Sequence, residues 1–359
     1  MNIRTKLFLI SISAIFSFFI FNNNIDKKVE LLNQKSELGS KDNPIKRAEY
    51  EFRMLVNPAT GKIPEGIRRN EIEFVKSIPS VKENMLSKGA PTIQTSDFQS
   101  RGPVNRGGRV RALGIDVRST SSSSVIIAAG VSGGIWRSTN NGGSWIQTSL
   151  PSQLNSATCI AQDTRAGHQD TWYVGTGESY GNSTSGGSAS YLGDGIFKST
   201  DNGLSWSLLP STSTNTPQAF DNFFSFVHNI TVNSSTGTIY AATLNVVMSS
   251  KDGGATWDLE LSNAANSSFS DVIATPSGQI YASINSGVDN PGIWRTMNDG
   301  GSWTNVTPSG FPSVYNRIVI AVAPSDEGRV YILANTPGSG KDGHSFWASN
   351  NGGITWNDY

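Results

Sequence analysis

The chain has 359 residues, of which 37 are glycine, nine are tryptophan and only 16% are charged. That composition points to a turn-rich all-β protein, with length enough for one large domain or two ordinary ones. Its 28 basic and 28 acidic side chains cancel to a formal net charge of zero, which argues against nucleic acid or an anionic membrane surface as partner. The single cysteine, Cys159, excludes an internal disulfide.

In chain order, the first element is an export signal. Arg4 and Lys6 precede a continuous apolar run from Leu7 to Phe21, too short for a comfortable membrane span and suited to a signal-peptide core. We assign it to 1–22, with an uncleaved N-terminal anchor as the alternative; no lipobox cysteine follows. Residues 23–98 form a charged leader. Ala48, Phe52 and Leu55 recur at helical spacing within Pro44–Val56, as do Ile67, Ile72 and Val75 within Pro64–Ile78. Two short helices joined by a turn over Asn57–Lys62 are therefore expected, either as a mobile spacer or as a cap.

From residue 99 the pattern changes to short strands in groups of four, expected over about 101–150, 151–210, 220–262, 268–308 and 314–359. Each group contains one phrase, Ser or Thr, any residue, Asp or Asn, any residue, Gly, any residue, Ser or Thr, Trp. The copies carry Ser138, Asn140, Gly142 and Trp145; Ser199, Asp201, Gly203 and Trp206; Ser250, Asp252, Gly254 and Trp257; Thr296, Asn298, Gly300 and Trp303; and Ser349, Asn351, Gly353 and Trp356. Their tryptophans recur every 46 to 61 residues, the period of a four-stranded antiparallel propeller blade with its loops. The fold class is thus an all-β propeller with five visible blades, the ring expected to be incomplete. A five-bladed ring closed by a segment before Arg101 is the alternative.

The phrase is a turn. The Asp or Asn side chain can fold back onto backbone N–H groups, and the Gly two positions later can supply a positive φ. Because Asp and Asn share the slot, hydrogen bonding and not charge is expected to matter there. The Trp opens the next strand, where a large ring can fill the space between sheets.

The phrase resembles the Asp-box, or bacterial neuraminidase repeat, of sialidases, sortilin-type receptors, xyloglucanases and many secreted bacterial propellers. The opening RGPVNRGGRVRALGID, with the leader before it, is similar to large propellers of bacteria that use type IX secretion. The resemblance implies structural boxes, a secreted or outer-cell-surface location, and chemistry that differs from member to member.

A hydrolytic site is hard to find. The arginine-isoleucine-proline phrase of sialidases is missing, and Arg101, Arg106, Arg109 and Arg111 crowd around one strand. Where xyloglucanases have an Asp-rich opening in the first blade, this chain has Ala129–Gly134, AGVSGG, without a carboxylate. His168, His228 and His344 fall in separate blades, so no metal site is expected, and no cofactor either. The best binding candidates lie in the long loop of the second blade, Glu178, Tyr180, Tyr191 and Asp194 among Gly and Ser, a composition suited to carbohydrate or protein ligands. The expected function is a non-enzymatic recognition or adhesion module, with a glycoside hydrolase and a sortilin-like peptide binder as alternatives.

Overall fold

The computed structural model describes residues 50, 52–64, 67–77, 109–150, 153, 156–179, 191–214, 222–244, 246–261, 269–287 and 289–359. The export signal, most of the leader, Arg101, Arg106 and Tyr180 lie outside the described residues. In the leader, residues 52–55 are helical and Asn57 pairs with Lys62. Asn57 Oδ1 accepts the Ala59 N–H at 2.9 Å, which folds the turn between them. The helix α1 spans Ile67–Ser77. Among the described residues no helix is long and apolar enough to cross a membrane.

Among the described residues twenty strands then make five four-stranded antiparallel sheets, each in sequential order. Blade one is β1 (Val110–Ile115), β2 (Ile126–Gly130), β3 (Ile135–Ser138) and β4 (Ile146–Gln147). Blade two is β5 (Ala157–Gln162), β6 (Trp172–Thr176), β7 (Ile196–Ser199) and β8 (Ser207–Leu208). Blade three is β9 (Val227–Val232), β10 (Ile239–Thr243), β11 (Val247–Ser250) and β12 (Asp258–Leu261). Blade four is β13 (Ser270–Ala274), β14 (Ile280–Ile284), β15 (Gly292–Thr296) and β16 (Thr304–Asn305). Blade five is β17 (Ile318–Ala323), β18 (Asp326–Asn335), β19 (His344–Ser349) and β20 (Asn357–Asp358). The first strands of successive blades neighbour one another, β1 with β5, β5 with β9, β9 with β13 and β13 with β17.

The repeated phrase makes the same turn five times. In the second copy, Asp201 Oδ1 accepts from Ser199 Oγ at 2.7 Å and from the N–H groups of Leu204 and Ser205 at 3.0 and 2.9 Å, while Ser199 Oγ accepts from the Gly203 N–H. Asn140 reproduces the net with one reversal. Its Nδ2 donates to Ser144 Oγ at 2.9 Å, whereas the Asp201 carboxylate accepts from Ser205 Oγ at 2.5 Å. A hydroxyl can play either part, so both residue types serve.

One slot is tighter than the sequence reading allowed. The residue between the Asp/Asn and the Gly is not free. It is Asn141, Asn202, Gly253, Asp299 or Gly352, and each has a positive φ, like the Gly after it. Two consecutive left-handed residues admit only side chains that tolerate that region.

Packing joins each blade to the next. Ala112, Ile127, Ala129 and Ile135 of blade one meet Ala157, Trp172, Val174, Phe197 and Trp206 of blade two in one buried cluster. Equivalent clusters join blades two and three, three and four, and four and five. The box tryptophans of blades two to five each reach back to the blade before. Trp206 Nε1 donates to Thr148 Oγ1 at 3.0 Å and Trp356 Nε1 to the Val306 carbonyl at 2.8 Å.

Candidate functional site

The long loop of blade two leaves β6 at Gly177 and returns at Asp194, beside the start of β5 because Thr176 pairs with Ala157. Its root is built from three blades, which share one irregularity of strand pairing. In the first strands of blades one, two and three the register slips by one residue at the same place, leaving Arg111, Thr158 and His228 as the extra residues. Blades four and five keep their register there. Such a bulge twists the strand and re-aims the side chain at it.

Two of the three re-aimed side chains grip the loop. Glu178, 3% exposed, is approached by Arg111 Nε at 3.2 Å and Arg109 Nη2 at 3.5 Å. On the other side His228 Nε2 lies 3.1 Å from Ser179 Oγ. Because His228 Nδ1 accepts the Ser270 N–H at 3.4 Å, the neutral ring carries its proton on Nε2 and donates it to Ser179. Burial, and then the charge of Arg317, push this imidazole down to about 3, so it stays neutral across the physiological range. Thr158 Oγ1 bonds the Val227 carbonyl and ties blade two to blade three.

The returning arm is equally fixed. Glu178 and Tyr191 exchange backbone hydrogen bonds of 2.8 Å. The Gly193 N–H donates to the Ser225 carbonyl, and the Asp194 N–H donates to Thr176 Oγ1 at 3.0 Å, with its carboxylate accepting from Ser213 Oγ. Of the four sequence candidates, then, Glu178 and Asp194 hold the root, Tyr191 stands exposed at its edge, and Tyr180 lies outside the described residues. Sequence reasoning missed Arg109 as a loop partner, and Arg111 and His228 as bulge residues. The broken alternation of VRALGI in β1 was the available signal.

Around this root the surface is mixed. The Arg317 guanidinium lies over the Phe269 ring, 5.2 Å from its centroid, and Phe269 leans on the His228 ring. Asp271 is buried and accepts from Asn229 Nδ2 at 2.7 Å and from the N–H groups of Ile320 and Val272 at 2.9 and 3.0 Å. It thereby pins blade four to blades three and five. Burial raises the pKa of its carboxyl. Among the described residues no group of three or more His, Cys, Asp or Glu side chains could hold a metal ion. Chemically the arrangement offers arginine donors, an aromatic ring and an anchored loop, with Asp271 hydrogen-bonded and Glu178 Oε2 buried within ion-pair distance of two arginines but without a hydrogen bond.

No family model matches the chain and no curated protein matches it. Among solved structures it is similar to a GH74 enzyme of Niastella koreensis, with a TM-score of 0.51, 21% identity, 69% of this chain covered and 38% of that one. An ancestral GH74 enzyme gives 0.50, 20%, 70% and 31%. An auxiliary nutrient binding protein of Bacteroides thetaiotaomicron gives 0.42, 10%, 70% and 57%. The chain thus spans about a third of the length of the first two. At these identities the likeness shows the fold, a β-propeller architecture.

Proposed function

We infer that this is the recognition propeller of a secreted or cell-surface Asp-box protein, and that it holds a carbohydrate or protein ligand at the β6–β7 loop without hydrolysing it. The observation that carries this reading is the three-blade clamp on the loop root. Arg111 from blade one, His228 from blade three and the Glu178–Tyr191 pairing hold both arms of one long loop in place, and binding residues are typically carried on loops positioned by such a scaffold. Tyr191 supplies amphipathic surface, the sequence places Tyr180 in the same loop, and Arg109 and Arg317 supply donors for hydroxyl or carboxylate groups.

The absence of hydrolysis rests on the state of the carboxylates. A glycosidase needs one carboxyl free to give a proton and another free to attack or to activate water. Glu178 faces two guanidinium groups at ion-pair distance, although its Oε2 accepts no hydrogen bond, and Asp271 accepts from three N–H donors. The export segment 1–22, the leader 23–98 and the propeller 99–359 are the domain limits that accompany this proposal.

A glycan-array and polysaccharide-binding screen of the purified chain, with product analysis on every hit, tests it. Binding that is lost in Tyr191→Ala and Tyr180→Ala, with no sugar released, is the expected result. Released sugar replaces this reading with the hydrolase one, and capture of peptides alone replaces it with a sortilin-like one.

A further inference from the structure

Among the described residues the five blades make four interfaces, and two blade faces are left over. The strand registers allow them to be compared position by position with the interior ones. The half of the first core that blade two contributes consists of Ala157, Trp172, Val174, Phe197 and Trp206, with Ile160 and Leu208 packed against it. The same positions in blade one, by pairing register and by place in the repeated phrase, are Val110, Ile126, Ala128, Trp136 and Trp145, with Leu113 in place of Ile160 and the polar Gln147 in place of Leu208. Leu113 is 63% exposed and Trp145 38%, against 5% for Trp206. Trp145 Nε1 donates only to the Gly142 carbonyl of its own turn, whereas Trp206, Trp303 and Trp356 all donate to the blade before. Val110, Ala128, Trp136 and Trp145 line a cleft of about 460 Å³ with Arg109.

Blade five shows the complementary half. The positions that in blade one face blade two, Ala112, Ile127, Ala129 and Ile135, are in blade five Val319, Tyr331, Leu333 and Phe346. Leu333 is 51% exposed, and Tyr331, Phe346 and Tyr359 form a continuous aromatic strip, 6.2 and 5.9 Å between successive centroids. Tyr359 stands where Thr148 and Val306 accept the indole of the next blade.

Apolar faces of this extent are not left in water by a soluble protein, and each of these has the shape of one half of an interface that the chain already builds four times. We propose that both faces are blade-to-blade interfaces, and that their occupant is a further four-stranded blade of this same repeat. On blade five it seats a box tryptophan against Tyr359 and Phe346. On blade one it offers small and branched apolar side chains, like those of β1 and β2, to Trp136 and Trp145. The match of positions, continuous with the established interfaces, selects a blade over an unrelated apolar partner.

Thiol accessibility reads this directly, because the native Cys159 is buried and its thiol is pushed up to about 12, which leaves it silent. Leu113→Cys and Leu333→Cys are made in the full chain, and again in the full chain with a copy of residues 153–261, blades two and three, joined after Tyr359. Both thiols are expected to react freely in the monomeric 359-residue chain. In the extended chain the Leu333→Cys thiol should slow at least tenfold, with a rise in melting temperature that marks the added blades as docked rather than tethered.

An unchanged Leu333→Cys rate in a folded extended chain overturns the proposal. Protection already present in the monomeric 359-residue chain also overturns it, since another part of the chain is then the occupant. Protection that appears only with oligomers overturns it in favour of a second copy. Should the extension fail to fold, a separately expressed 153–261 segment added in trans serves as the second probe, with protection of Leu333→Cys expected and none overturning.

Discussion

Trp206 and Trp145 occupy the same place in the same phrase, and the molecule treats them oppositely. Trp206 sits in a core with Ile127, Ile135 and Val174 and bonds across to Thr148, while Trp145 lies half-exposed on its own turn. The difference teaches that the repeat does not fold each blade separately. It supplies a ring to the blade before it, and the ring's contribution depends on whether that blade is there. The largest expected effect follows. Trp206→Ala should cost about 3–5 kcal/mol, as for large core aromatics, and Trp145→Ala less than about 1 kcal/mol, as for surface sites. Urea unfolding of the two variants measures the gap, and equal losses would break the comparison.

Much of this was legible beforehand. Five copies of one phrase announce five blades, and the alternation around each copy places the strands, because turn residues and apolar periodicity act locally. What was not legible depends on neighbours. Glu178 reads as a polar loop residue among Gly and Ser, and only the arginines of another blade explain why it is buried. His228 reads as an isolated histidine, since a bulge is a property of two strands and not of one. The constraint at Asn141, Asn202, Gly253, Asp299 and Gly352 could have been found. Those five residues are all Asn, Asp or Gly, the types that most readily accept a positive φ.

The box glycines sharpen the comparison at a finer scale. Gly203 and Gly142 have nearly the same backbone, φ 77° and 82°, so a Cβ strains both by about 1 kcal/mol. Their surroundings differ. A Cβ on Gly203 would lie 2.4 Å from Ile127 Cδ1 of blade one, whereas on Gly142 its nearest neighbour is the Trp145 ring at 3.6 Å. Gly203→Ala should therefore cost about 1–3 kcal/mol more than Gly142→Ala, the overpacking component alone. Equal costs in thermal unfolding would mean that the turn, and not the blade beside it, fixes the glycine.

The smallest effect separates the boxes by chemistry. Blades two and three carry Asp201 and Asp252, and the others carry Asn. For Asp201 partial burial opposes ionisation, but the hydrogen bonds of Ser205 and Ser199 outweigh it and lower the carboxyl. For Asp252 the hydroxyl and N–H of Thr256 hold it well below the usual range. A group whose pKa is depressed by folding stabilises the protein above its unfolded value of 3.8 and loses that stabilisation as pH falls through the folded value. At neutral pH the double variant Asp201→Asn, Asp252→Asn should be slightly less stable than the parent, since a carboxylate is the stronger acceptor. Below pH about 4 the parent's stability should fall more steeply, so that the two curves converge as acid protonates the two carboxylates. Asn140, Asn298 and Asn351 should add nothing to the slope, whereas Asp299 of the fourth box, where partial burial is outweighed by the hydrogen bonds of Thr238 and Asn233 and the carboxyl is lowered, adds the same slope to both. Parallel curves across that range would show that the charge in these two turns is as idle in acid as the Asp–Asn exchange makes it look.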